Sequence, residues 1–442
     1  MFEKGSLMRV SIKDLQEALP QVHWSHFLNS MFNKADITIA DDEHIFYVAV
    51  HKFKRLLEYL ASYKRSTIQN YFGWRIVQRF KDFAPQSLRH YKARTSLQCT
   101  EDLSEEASTI LGRLYVDHFF TLQSREQLRT IVEDIRSAIR KLVEGASWLD
   151  DSTRKKALEK VDKMVMKVGY PDWLKNDTHL EELYKDIGWV DPNTPYSMIR
   201  ARYLNNKAVH HLKNIRRAFN RTEGYLVSLL EFNAVNVPFE NSIEVTPAIA
   251  SGLLFEEGLP PSVNFGSIGF TTGHEITHGF DAEGRMYDAI GRHVNWWSTE
   301  ADAVYKKKAQ CFVDMYDNIT DKATGVKLRG EQTLSENIAD NEGLHGAFKA
   351  YRQRLEDEGK AQDDALPGLD HISGDQMFFI SQALAWCGNT NREALALMVA
   401  IDEHSPDKYR VNPPLANMKE FADAFHCDNN SPMVQKRKCG LW

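Results

Sequence analysis

What this sequence has little of narrows the possibilities before any motif is read. No stretch approaches the roughly 20 uninterrupted apolar residues that a membrane span requires, and the first thirty residues lack the apolar core of a secretory signal. Basic excess is missing too. The formal net charge is -6, and lysines and arginines are interleaved with acids along helical segments, which gives no broad field for nucleic acid. Cysteine is scarce: the 5 present, Cys99, Cys311, Cys387, Cys427 and Cys439, show no Cys-x-x-Cys or other zinc-knuckle spacing. They are buried thiols or disulfide halves, and an odd number leaves at least one without a partner in the chain. Low-complexity tracts and convincing internal repeats are also absent. Taken literally this is a soluble cytosolic protein, and 442 residues are too many for a single compact core, so two domains are expected. Against the cytosolic reading stand four Asn-x-Ser/Thr sequons, at Asn176, Asn220, Asn318 and Asn429, which count only in a secreted chain.

What is present divides near residue 225. Before it the chain reads as helix after helix. Ser124 and Gln127 form a capping box ahead of Leu128, Ile131, Ile135, Ile139 and Leu142, which line one helical face. From Ser152 a second helix places Ala157, Leu158, Val161, Met164, Val165 and Val168 on one side until Gly169 and Pro171 end it. These stripes are core and carry no chemistry. Beyond the boundary, Leu226 to Val237 and Ile243 to Val245 are rich in branched residues, with Pro238 and Pro247 interrupting, which predicts edge strands. Helical patterning returns from Gly266. The domain reading is therefore residues 1–225 helical and 226–442 carrying the chemistry.

That chemistry centres on His274-Glu275-Ile276-Thr277-His278. On a helix, imidazoles four residues apart project from one face and can reach the same zinc ion. Glu275 leans to the adjacent side, where a carboxylate can take a proton from a water without being a ligand. A three-ligand site needs one more donor. Downstream, Glu336 and Asp340 are again four apart, so Glu336 can be the third ligand while Asp340 accepts the other ring N–H of a zinc-bound histidine. An acidic first turn favoured by the helix macrodipole would account for Glu336 but not for an Asp at the matching spacing. Nearer the C-terminus, His404 oriented by Asp402 suits an oxyanion donor, and Arg410 could clamp a substrate carbonyl or terminal carboxylate.

These pieces, in this order and with the terminal Cys439-Gly440-Leu441-Trp442, resemble the neprilysin and endothelin-converting-enzyme family of zinc metallopeptidases. Further landmarks are Gly112-Arg113-Leu114-Tyr115-Val116, Asn233-Ala234, Gly273 to Asp281, Glu336 to Asn341, Trp386-Cys387-Gly388 and Phe425-His426-Cys427. The resemblance implies a mostly α fold with a small mixed or antiparallel β-sheet. It implies a thermolysin-like zinc (gluzincin) catalytic domain over 226–442 and a helical cover domain over 1–225, incomplete at its N-terminus. It makes His274, His278 and Glu336 the ligands of one Zn2+ per chain, Glu275 the general base, Asp340 the partner behind the ligands, His404 the transition-state donor and Arg410 a substrate-binding residue. It adds Asn233 and Ala234 as binders of the substrate backbone along an edge strand. Phe270 and Trp386 would line the pocket for the side chain after the scissile bond, or be plain core aromatics.

By the same resemblance Cys311 pairs with Cys439, while Cys99, Cys387 and Cys427 would pair with cysteines in an N-terminal ectodomain segment that this chain lacks. Three thiols left over, together with family members that carry a membrane anchor or signal peptide, imply a truncated form of an extracellular or plasma-membrane protein. Departures from the family pattern are Ser335 in place of Gly before the third ligand, Glu342 in place of a Gly, and Val235-Asn236 in place of an aromatic pair. The first two are expected to alter local packing without loss of zinc, and the third bears on specificity. The implied activity is hydrolysis of small-to-medium peptides on the amino side of hydrophobic residues. The alternative is a truncated or inactive homologue that binds peptide or zinc without turnover. An unrelated cytosolic zinc peptidase would instead keep five free thiols.

Overall fold

The computed structural model of the chain describes residues 7–48, 50–81, 95–252 and 254–442. Helix dominates, and among the described residues strand is confined to a two-stranded and a three-stranded sheet. Contacts divide the chain differently from a single break near residue 225. One compact unit is Met1–Ala107 with Asn176–Phe219, and the other is Ser108–Lys175 with Asn220–Trp442.

In the first unit, β1 (Leu7–Ser11) pairs antiparallel with β2 (His44–Val48). Ser11 ends the strand and caps the helix Ile12–Ala18 through a capping box with Asp14, which turns Ile12 and Leu15 inward. They meet Leu19, Trp24 and Ile39 in a small apolar core.

In the second unit the helix Ser108–Phe119 is followed by paired helices, α1 (Leu122–Gly145) and α2 (Asp151–Asp162). Leu128, Ile131, Ile135, Ile139 and Leu142 are buried along one face of α1, but its cap lies three residues before the expected Ser124. Thr121 accepts the N–H of Ser124 at 2.9 Å, so Ser124 is already inside the helix. The second helix also stops early. Val165–Val168 form β3, parallel to β5 (Ser242–Val245) with Val165 opposite Ser242. Branched residues at spacing three satisfy a helix face and a short strand alike, and here the strand is chosen by its partner. An antiparallel strand, β4 (Ala234–Val237), completes the order β3-β5-β4. The edge position expected for both predicted strands thus holds for β4 alone, and β5 is central. Leu226 to Asn233 do not join the ladder. The Glu244 carboxylate, fully buried, accepts the N–H groups of Leu226 and Val227 at 2.7 and 3.2 Å, so those donors are spent on a side chain.

Four helices then build the site: α3 (Phe270–His278), α4 (Thr299–Asp317), α5 (Leu334–Asp357) and α6 (Asp407–Asn417). A π-helical stretch, Phe265–Gly269, leads into α3. Helices α3 and α5 pack against each other and against α1, with Ile276, Phe280, Ile338 and Leu344 fully buried. Cys311 on α4 is bridged to Cys439, and the chain end is seated beside α5, where Glu342 accepts the Leu441 N–H at 2.6 Å. Trp148 donates to the Leu441 carbonyl at 2.6 Å. The departure at Glu342 therefore has a structural use, as an acceptor for the tail. Cys99 and Cys387 are free and exposed, and Cys427 is free and half-buried. Among the described residues, no helix is long and apolar enough to cross a membrane.

Candidate metal centre

Helices can bring their side chains to a common point only if their backbones come close, and two glycines allow this. A β-carbon on Gly273 would lie 2.5 Å from the carbonyl oxygen of Gly343, and one on Gly343 would lie 2.5 Å from the backbone N of His274. With both absent, α3 and α5 cross in backbone contact. His274 and His278 then stand across from Glu336, and one ligand atom from each lies within 4.8 Å of the others.

The two imidazole Nε2 atoms are 2.9 Å apart. Glu336 lies 3.3 Å from His274 Nε2 through Oε2 and 3.4 Å from His278 Nε2 through Oε1. The outer ring nitrogens have their own partners. His274 Nδ1 is 2.9 Å from Asp340 Oδ1, and His278 Nδ1 is 2.6 Å from Asp281 Oδ2. An ionised carboxylate only accepts, so each Nδ1 carries the proton and, in the neutral rings, each Nε2 presents a lone pair. Two lone pairs and a carboxylate facing one another repel unless a cation lies among them. The donor set, two imidazoles and one carboxylate with their outer nitrogens anchored by acids, fits zinc.

The same crowding sets the protonation tendencies. Burial pushes the His278 imidazole down, but its bonds to Asp281 and Glu336 outweigh that and hold it well above the usual histidine value. At His274, burial and the neighbouring His278 both push down, yet Asp340 and Glu336 prevail and the net shift is upward. Glu336 goes the other way: burial raises it, but the two histidines draw it below the ordinary carboxylate range. Glu275 makes no such pairing, and burial raises its carboxyl against the pull of both histidines.

Arg410, on α6, reaches in behind His274. Its Nε and Nη2 bind Asp340 at 2.9 and 2.8 Å, and Nη2 lies 3.5 Å from Glu336. Burial would raise the Asp340 carboxyl, but the guanidinium beside it holds it low. Most of the Arg410 fork is thus used within the protein, and its guanidinium stacks 4.1 Å from the centre of the Trp386 ring. His404 enters from the turn before α6. Its Nδ1 is 3.0 Å from Asp402 and its Nε2 3.3 Å from Glu336 Oε2, with the side chain 40% exposed, open enough to meet a ligand. Gln332 holds the Asp402 carbonyl at 2.6 Å.

Phe270, buried at 1% exposure, stands edge-on to Trp386 with ring centroids 6.3 Å apart. It backs the half-buried tryptophan. Asn233 is exposed at the start of edge strand β4 and Ala234 is buried. The Thr246 hydroxyl donates between the carbonyls of Glu231 and Asn233, at 2.7 and 3.0 Å, which steadies the strand's entry.

The contacts of two further residues were not foreseen from the sequence. Asp281 was signalled by its spacing, three after His278 and on the same side of the turn. Asn236 stood out only as a departure bearing on specificity; the partner of its side chain, the Glu275 carbonyl at 2.9 Å, lies on a distant element and left no local trace.

A small-sheet, mostly helical fold with His-Glu-x-x-His on one helix and a carboxylate on a second defines the thermolysin-like zinc-peptidase class. Two models of peptidase family M13 match residues 4–171 and 233–441, and the chain belongs to that family. Mouse membrane metallo-endopeptidase-like 1 is 32% identical over 453 residues, covering 98% of this chain and 58% of that protein. Neprilysin-1 of Trittame loki is 31% identical, covering 95% of this chain and 60% of that protein. The chain therefore spans little more than half the length of these relatives. In fold it matches the Mycobacterium tuberculosis zinc metalloprotease Zmp1, with TM-score 0.81 at 21% identity over 99% of this chain and 66% of that one. PepO of Lactobacillus rhamnosis gives 0.78 at 21% identity over 98% and 66%.

Proposed function

We propose that this chain carries the catalytic centre of a zinc metalloendopeptidase acting on small-to-medium peptides. The observation that carries the reading is the convergence of His274 Nε2, His278 Nε2 and the Glu336 carboxylate, each backed by an acid or a cation. Those three residues would hold one zinc ion, which when bound supplies the positive charge that polarises a water and the scissile carbonyl. Glu275, its carboxyl raised by burial, takes the proton from the attacking water and passes it to the leaving amine nitrogen. His404, its ring held by Asp402 at 3.0 Å from Nδ1, donates an N–H from Nε2 to the oxyanion.

The substrate backbone docks along the open edge of β4 at Asn233 and Ala234. Arg410, with Nε and Nη2 committed to Asp340, turns its remaining guanidinium nitrogen to a substrate carbonyl. Trp386, backed by Phe270, receives an apolar side chain after the scissile bond. All of these residues lie within 226–442. The relatives' names place a membrane metallo-endopeptidase among them, and the exposed sequons suit an extracellular site of action.

The test is a quenched peptide with an apolar residue after the cleavage point, run alongside metal analysis. Cleavage by the wild type, and a fall of about 10²–10⁴-fold in Glu275→Gln with zinc retained, is the expected result. Zinc at one equivalent with no cleavage, and no difference between the two proteins, would make the chain a zinc-binding homologue without turnover.

A further inference from the structure

Edge strand β4 and helix α3 are joined by a side-chain bond that lands on the residue read above as general base. Asn236 Nδ2 donates to the main-chain carbonyl of Glu275 at 2.9 Å. That carbonyl belongs to the last turn of α3, where C=O groups lack intrahelical donors. The N–H of Gly279, which would serve it in a continued helix, turns instead to Ile276 and Thr277. Asn236 supplies the missing donor. Its own position is set from the other side, since it lies opposite Ile243 in the β4–β5 ladder, and Ile243 is fully buried. The Oδ1 of Asn236 is buried with no partner. An unpartnered buried acceptor is destabilising, so the amide is explained by what its Nδ2 does.

We infer that Asn236 is a positioning residue which holds the substrate-receiving strand at a fixed height relative to the Glu275 carboxylate. The inference rests on the peptidase reading. A peptide docked on β4 presents its scissile bond to Glu275 through two rigid steps, strand to Asn236 and Asn236 to the helix. Small errors in that distance are costly, because displacement of reacting groups by about 1 Å can lower a rate by about 10²-fold.

The test compares wild type with Asn236→Ala, Asn236→Asp and Asn236→Gln, recording kcat, KM, zinc content and melting temperature, with Glu275→Gln as control. Binding of the uncleaved peptide to Glu275→Gln and to Glu275→Gln/Asn236→Ala is followed by fluorescence anisotropy. Asn236→Ala should lower kcat about tenfold with KM within about twofold, zinc retained, and peptide affinity in the Glu275→Gln background unchanged. Asn236→Asp should lose more, because a carboxylate would face a carbonyl with no donor between them. Asn236→Gln, with its donor on a longer arm, should recover part of the loss. Unaltered kcat in both Ala and Asp variants, a loss confined to KM, or a loss that only follows zinc content or melting temperature each overturns the positioning role. Failure of the wild type to outperform Glu275→Gln overturns the peptidase reading, and the positioning role with it.

Discussion

Gly273 and Gly343 meet where α3 crosses α5, each occupying the space a β-carbon on the other would need. This contact sets how near the histidines of one helix come to Glu336 on the other. Gly343→Ala forces a methyl group to within 2.5 Å of the His274 backbone N, where neither backbone can yield without moving a whole helix. The expected cost is about 1–3 kcal/mol of stability, seen in urea denaturation, together with weaker zinc binding in chelator competition. Wild-type zinc affinity in this variant would show that the crossing does not set the ligand spacing.

Asp340 serves two partners, His274 Nδ1 and the Arg410 fork. Asp340→Asn should weaken metal affinity by about 10–100-fold by loosening the ring's orientation. It should also destabilise the fold by about 3–5 kcal/mol, because Arg410 is left as a buried charge without a full partner. Asp281 holds His278 through Oδ2 and accepts the N–H groups of Glu283 and Gly284 through Oδ1; Asp281→Asn keeps an amide oxygen for the backbone donors and should show the metal effect with a smaller stability loss. Zinc titration and urea melts on both variants separate the two roles.

Glu342 couples the chain end to pH. Burial pushes its carboxyl up to about 7, from an ordinary value of 4.5. A group with a raised folded value binds more protons when folded, so its contribution is fully present below about pH 4.5 and is lost as pH rises through about 7. The shift corresponds to roughly 3 kcal/mol. Glu342→Gln keeps the acceptor for the Leu441 N–H and removes the titration, so its stability, measured by melts between pH 4.5 and 8, should lack the decline that the wild type has over that window.

Zinc itself should stabilise the fold. A ligand bound only by the native state adds about 2.7 kcal/mol at a hundred times its dissociation constant. Chelation should therefore lower the melting temperature, zinc should restore it, and His274→Ala should abolish the response. A chelator-insensitive melt would mean that the three side chains do not bind metal.

Much of the site could be read from local spacing. His274 with His278, and Glu336 with Asp340, are four apart, and a helix places such pairs on one face whatever surrounds it. Asp402 and His404 are near neighbours, and the branched, proline-interrupted run around β4 marked an edge. The short elements were read less well. Val165 and Val168 fit a helix face as well as a strand, and pairing with β5 decided the matter. Leu226 and Val227 have strand-forming side chains but donate their N–H groups to Glu244.

The sequence by itself therefore determined the groups available: which donors occur, at which helical spacing, and that a further carboxylate, Glu275, lies between the two histidines. Tertiary structure decided what those groups meet. The closeness of α3 to α5 depends on two glycines 70 positions apart in the numbering, the commitment of Arg410 to Asp340 on contact between α5 and α6, and the tie from Asn236 to Glu275 on a strand lying beside a helix. Helical periodicity is a property of neighbours along the chain, so a sequence carries it openly. Contacts between elements arise only when packing selects one arrangement among many that the same local pattern permits.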